Sequence, residues 1–342
     1  MRKVLFSDLQ PGYVIAEDVT KNSIILLSEG TVLTAHDIQQ LKNYSIKMVY
    51  VYDEDDFQMD KDIKIIFKEI PPVVEKQKYE SWTNQFEKVK DITKLNENSE
   101  ELNTLVKDIY STFVEEENIV LNLFHAIGDE ALTAHSINTA IISSIISVNL
   151  KMPYVFTFQL LKASLLHDIG YSFLGERVIN DYEDLENKTV KSHLISGYKA
   201  MKNFKDNISK EAIDAILEHH ERYDGKGIFM RLSGERINPL VRILQVGDAY
   251  DSMIESGKNP YEAISFLLKQ SGKMFDPYYV STFFSITGLY PTGTTVLLNN
   301  NKKAIVVKKG RATVFPVVEM DGERIETGSE TGIFIKEVLK GE

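Results

Sequence analysis

The chain has 342 residues, with 39 Lys and Arg against 50 Asp and Glu, for a formal net charge of −11. That acidic balance argues against non-specific binding to duplex nucleic acid, which depends on basic surface. The absence of cysteine excludes disulfides, thiolate catalysis, zinc fingers and iron–sulfur clusters. With 43% hydrophobic and 26% charged residues, the composition is that of an ordinary globular protein of about two domains, not of a fibrous or disordered chain. The opening MRKVLFSDLQPG leads into no apolar signal segment, and no continuous apolar run of about 18 residues stands out. The expectation is a cytoplasmic protein without a membrane span.

Residues 1–52 form the first predicted unit. VLFSDL, YVIAEDV and SIILLSEGTVL are strand-like runs broken by Pro11-Gly12 and Gly30. Thr34 is placed to cap a short helix over TAHDIQQLKNYSI, and MVYVY closes a small mixed α/β unit. Residues 53–100 are rich in Asp, Glu and Lys around Pro71-Pro72, and predict a charged linker with helical pieces. Within it, IKIIFKEI is a short strand or helix.

From 101 to 290 the apolar period is helical. Leu102, Leu105, Val106, Ile109 and Phe113 follow the i, i+3, i+4, i+7 rule, and similar stripes run through 133–149, 156–169, 189–203, 208–220, 237–254, 261–270 and 277–287. Residues 291–342 return to short β-branched runs with turns at NNNKK, KKG and DGE. The expected fold class is mainly α: a bundle of about seven or more helices, with a small α/β N-terminal domain and a small C-terminal β-appendage. Helices over 62–69 and 101–125 are candidates for pairing between two chains in a homodimer.

Chemistry-bearing residues concentrate in the helical unit. The seven histidines are His36, His125, His135, His167, His193, His219 and His220. His167 is followed by Asp168 in a predicted helix SLLHDIG; His219 and His220 are adjacent in LEHHERYDGKG; Asp248 lies in ILQVGDAYDSM. Singly, each has an ordinary structural explanation. A His-Asp dipeptide is common, His193 near Gly197 would pack or face solvent, and Asp248 would cap a helix. His36 and His125 have no supporting context. The joint pattern His…HD…His…HH…Asp on successive helices is different. Imidazole suits Fe, Mn, Zn or Ni, and a carboxylate can bridge two cations. Two metals about 4 Å apart can clamp both the attacking and leaving oxygens of a phosphodiester displacement. Gly225 and Gly227 permit close backbone approach in the loop after the His pair.

LLHDIG, HHERYDGKG and ILQVGDAYDSM together resemble the HD-GYP branch of the HD-domain phosphohydrolases, over about residues 120–290. GLYPTGTTVLL after FDPYYV is similar to that family's exit into a C-terminal β-segment, and residues 3–52 resemble the small domain that often precedes it in bacteria. The resemblance implies a bacterial phosphodiesterase that hydrolyses cyclic di-GMP to pGpG and onward to GMP, with iron or manganese. The implied metal ligands are His135, His167, Asp168, His193, His219, His220 and Asp248, with Asp168 bridging. Asp168, Tyr171 and Asp251 are the candidate catalytic residues, and Lys226, Gly225, Gly227 and Lys258 the candidate substrate contacts. Asp251, Tyr171 or Lys226 would protonate the leaving group.

Four positions depart from the family pattern. A glutamate that supports a third metal in some members is Ala131 here; Glu130 is one residue off, about 100° around a helix, so two metals are expected. The lysine of HDIGK is Tyr171. Gly227 is retained, but the Tyr-Pro that follows it in the family is Ile228-Phe229. The arginine-bearing stretch after the last aspartate motif is ESGKNPYE, where Lys258 lacks the planar fork of arginine. An alternative is therefore a degenerate module that binds metal and nucleotide and signals to a protein partner through the 224–231 loop without efficient turnover. Another cyclic dinucleotide is a third reading.

Overall fold

The computed structural model describes residues 2–10, 13, 15–21, 24–27, 31, 33, 35–51, 72–91, 98–115, 121–125, 130–174, 177–179, 182, 185, 187–202, 204 and 208–339. Thr34, IKIIFKEI and the proposed pairing segment 62–69 lie outside these residues. Strand β1 (Arg2–Leu5) pairs antiparallel with β4 (Met48–Val51), and β2 (Val19–Lys21) with β3 (Ile24–Leu27). Helix α1 (Ala35–Asn43) precedes β4. Alternation along β4 buries Val49 and Val51, which join Val4, Ile15, Leu33 and Leu41 in a core separate from that of the helices.

The charged stretch before residue 100 contributes to the helical core. Helix α2 (Lys76–Val89) buries Tyr79, Trp82, Phe86 and Val89, and α3 (Ser99–Phe113) buries the predicted stripe from Leu102 to Phe113 against the same cluster. Charge on three sides of α2 hides a one-sided apolar face, which composition alone reads as linker. The α3 stripe is spent within the chain, so it does not offer the interchain pairing face expected of 101–125. Trp82 Nε1 donates to Asp108 Oδ2 at 2.7 Å, tying the two helices.

Helices α4 (Ala131–Asn149) and α5 (Tyr154–Leu166) form the centre, with α6 (Lys188–Met201), α7 (Lys210–Glu218), α8 (Pro239–Glu255), α9 (Pro260–Gln270) and α10 (Pro277–Thr287) around them. By length and composition α4 is apolar enough to cross a membrane, which the sequence reading missed because Ser, Thr, Asn and His interrupt the run. Residues Thr133 to Ser147 are all buried in protein, as in a core helix. Local chemistry sets the later boundaries. Asn187, Ser209, Asn238, Asn259 and Asp276 each cap a helix by accepting a backbone N–H, and Pro239, Pro260 and Pro277 begin the last three.

The C-terminal unit is one antiparallel sheet of β5 (Thr295–Leu298), β6 (Lys303–Lys308), β7 (Val317–Met320), β8 (Glu323–Glu326) and β9 (Ile335–Val338), ordered β8-β7-β6-β5-β9. Its alternate residues Val296, Leu298, Val306 and Val318 extend the helical core.

Candidate metal centre

The seven predicted ligands converge, each 3% exposed or less. His135 comes from α4, His193 from α6 and Asp248 from α8. The other four are not within helices, as the sequence suggested: α5 stops at Leu166 and α7 at Glu218, so His167-Asp168 and His219-His220 sit at helix C-termini. The position has a chemical consequence. Carbonyls of a last helical turn lack intrahelical partners. His167 Nδ1 donates to Ser164 O at 2.8 Å, and His219 Nδ1 to Ile216 O at 3.0 Å, by the same i to i−3 step. With Nδ1 bonded to a carbonyl, Nε2 is the nitrogen turned inward, where it can offer its lone pair to a cation.

The inward-facing Nε2 atoms crowd together with carboxylate oxygens. The Nε2 atoms of His167, His193 and His219 lie 3.5, 3.4 and 3.5 Å from Asp168 Oδ1. His193 Nε2 and His219 Nε2 are 3.2 Å apart, as are His135 Nε2 and His167 Nε2. His135 Nε2 lies 3.2 Å from Asp248 Oδ1. A bare imidazole nitrogen aimed at a carboxylate oxygen is repelled unless a cation lies between them. The ligand atoms fall into His135, His167 and Asp248 on one side and His193, His219 and His220 on the other, with His167, Asp168 and His219 forming a third group that joins them; within each group they lie within 4.8 Å of one another. The donor set and its spacing therefore fit divalent metal, with Asp168 common to both sides.

Close packing makes the convergence. A Cβ on Gly170 would lie 1.9 Å from His193 O, so only glycine lets the turn after Asp168 press against α6. Tyr171, in the same turn, is 4% exposed and stacks on His193 with centroids 4.0 Å apart. Its ring lies flat against one of the candidate ligands. Asp251 is engaged as well: its Oδ2 accepts from His135 Nδ1 at 2.8 Å and its Oδ1 from Asn138 Nδ2 at 2.8 Å, contacts that orient His135.

Electrostatics follows the same contacts. Burial and Arg177 pull His135 down, but hydrogen bonds to Asp248 and Asp251 outweigh them and raise it to about 10. Burial pushes Asp168 up, yet positive charge on the His167 and His193 rings when they are protonated, and on Arg177, holds it well below the carboxylate range. Asp248 is also held low, against burial, by His167 and His135. His219 is lowered by burial and then by His220, which keeps it neutral.

Around the cluster are residues the sequence did not single out. Tyr182 OH donates to Asp248 Oδ2 at 2.8 Å. Gln245 Nε2 donates to the carbonyls of His219 and Glu221. Arg177 Nε donates to Asp168 Oδ2 at 3.3 Å, and its Nη1 to both oxygens of Glu255. His125 Nδ1 lies 3.7 Å from Asp251 Oδ1 with its side chain 32% exposed. Buried Glu221 accepts from the backbone of Phe229, Met230 and Leu232, which fixes the loop without the family's Tyr-Pro. Gly227 fits there because a Cβ would lie 2.5 Å from Glu221 Cα, and Gly225 has φ +80°. Lys226 and Lys258 are exposed outside helices and strands, and no contact joins either to the cluster among the described residues.

Residues 114–278 match the HD domain family. A cyclic di-GMP phosphodiesterase of Pseudomonas aeruginosa is 29% identical over 226 residues, covering 63% of this chain and 54% of that protein. A cyclic di-GMP phosphodiesterase of Thermotoga maritima is 28% identical over 185 residues, covering 52% and 50%. A 3'3'-cGAMP-specific phosphodiesterase of Vibrio cholerae is 27% identical over 126 residues, covering 34% and 24%. The chain spans about half the length of the first two.

Proposed function

We propose that the protein is a metal-dependent phosphodiesterase that hydrolyses cyclic di-GMP to pGpG, with two divalent ions, iron or manganese, held by the seven ligands. The carrying observation is the set of Nε2 atoms turned onto Asp168 Oδ1 at 3.4–3.5 Å, two of them by helix-end carbonyls. Asp168 would be shared between the ions, with His135, His167 and Asp248 holding one and His193, His219 and His220 the other. Such ions supply the Lewis acidity that activates water and phosphate near neutral pH.

The chain's own residues do the rest. Asp251 and Tyr182 hold His135 and Asp248 in orientation. Tyr171 keeps the His193 ring in plane, and burial of all seven ligands keeps bulk water from competing for them. The 224–231 loop, pinned by Glu221, borders the His219-His220 side.

The test is side-by-side turnover of cyclic di-GMP, pGpG and cGAMP by anaerobically metal-loaded protein, followed by chromatography. Formation of pGpG that disappears in His167→Ala supports the proposal. Faster cGAMP cleavage would move the substrate assignment while keeping the chemistry. Binding of nucleotide without turnover would favour a signalling module. That second reading draws on Tyr171 being stacked where a cationic side chain was expected, and on Met230 being 60% exposed at the tip of the loop.

A further inference from the structure

The position of Arg177 has no counterpart in the sequence pattern. Its side chain is only 11% exposed. Its Nη1 lies 2.8 and 2.7 Å from the two Glu255 oxygens, while Nε reaches Asp168 Oδ2 at 3.3 Å. The short contacts anchor the guanidinium to α8; the long one is the looser. Glu255 also belongs, with His135 and Asp251, to another group of ligand atoms within 4.8 Å of one another. Arg177 is paired to that group. The site therefore carries a fixed guanidinium beside the two clusters of ligands.

A buried cation next to a centre suited to divalent ions is unfavourable unless an anion offsets it. Glu255 offsets it within the protein. An oxyanion drawn to ions on Asp168 would be a further anion beside Glu255 and Asp168, arriving next to a guanidinium already in contact with Asp168. Guanidinium is the side chain whose planar fork matches phosphate oxygens. Neither Tyr171, stacked on His193, nor the exposed Lys226 and Lys258 brings positive charge to this point.

We infer that Arg177, anchored by Glu255, is the phosphate-contacting cation of this site and meets a phosphoryl oxygen of the bound diester beside Asp168. The inference rests on the phosphodiesterase reading for its substrate, but its test does not. Inorganic phosphate is titrated into metal-loaded wild type, Arg177→Gln, Arg177→Lys and Glu255→Gln, with metal content measured in each sample. Arg177→Gln should weaken phosphate binding by about 10- to 100-fold, the range of a lost charge-assisted hydrogen bond. Arg177→Lys should recover part of that loss, and Glu255→Gln should show a smaller one, all at wild-type metal content. Phosphate affinity within twofold of wild type in Arg177→Gln would overturn the inference. So would loss of metal in parallel with phosphate, because Arg177 would then only position Asp168. A wild type that binds phosphate through Arg177 yet cleaves no cyclic dinucleotide would contradict the proposed function and leave the Arg177 assignment standing.

Discussion

The ligand cluster and its rim are built by different means. Ligands come from helix interiors and helix ends locked by core packing: His193 is held against the Gly170 turn, and His167 and His219 are tied to carbonyls of their own helices. The rim is made of turns and long side chains: the 224–231 loop, Lys258 after α8, and Arg177 on the segment following Phe173. The seven candidate ligands are together; of the departures from the family pattern, Ile228-Phe229 and Lys258 lie at the rim, while Tyr171 is buried against His193. Changing a ligand leaves buried charges without partners, a cost felt by fold and metal alike. A turn can exchange its side chains at little structural cost. The proposed function therefore predicts that metal binding and substrate choice are separable in this molecule.

That separation can be broken most severely at its centre. Gly170→Ala would drive a Cβ into His193 O, push α6 from the Asp168 turn and cost about 1–3 kcal/mol or more. Thermal unfolding should show the loss, and metal content should fall on the His193 side first. Asp251→Asn, which disturbs the partner of His135 Nδ1, should weaken metal binding about 10- to 100-fold with the fold retained, as calorimetric titration would show.

Protonation sharpens the contrast. In metal-free protein His135 is raised from 6.5 to about 10, so its contribution to stability is fully present below pH 6.5 and lost as pH rises through 10. Asp168 and Asp248 are depressed below 3.8, so theirs is present above 3.8 and lost as pH falls. Melting temperature should therefore decline from pH 6.5 toward 10 without metal. Metal should flatten that arm, because an ion replaces the His135 proton. A metal-free protein whose stability is level across this range would contradict the assignment. The smallest effect is expected at the rim: Lys226→Ala and Lys258→Ala should change stability by no more than about 0.5 kcal/mol and leave metal content unchanged.

Much of the ligand set was legible because its motifs are local and joint: HD, HH and the aspartate motif each occupy adjacent or near-adjacent positions. Where those residues sit was less legible. SLLHDIG continues an apolar stripe, and only Gly170 signals that the helix ends before it. Arg177, Glu255, Tyr182 and Gln245 had no signal, since their contacts join residues far apart in sequence and arise from packing. Asp251 was visible as a carboxylate near the site, but its role depends on an α4–α8 contact that no spacing reveals. Helix α2 was hidden because its Glu and Lys residues outweigh four buried apolar ones in any composition window.

The most direct measurement is metal content per chain for anaerobically loaded wild type and Asp168→Ala, on samples shown by circular dichroism to be folded. The account predicts two ions in the wild type and a loss from both sides of the cluster in the variant, because Asp168 is common to both. Two ions retained in Asp168→Ala, or a single ion in the wild type, would contradict it.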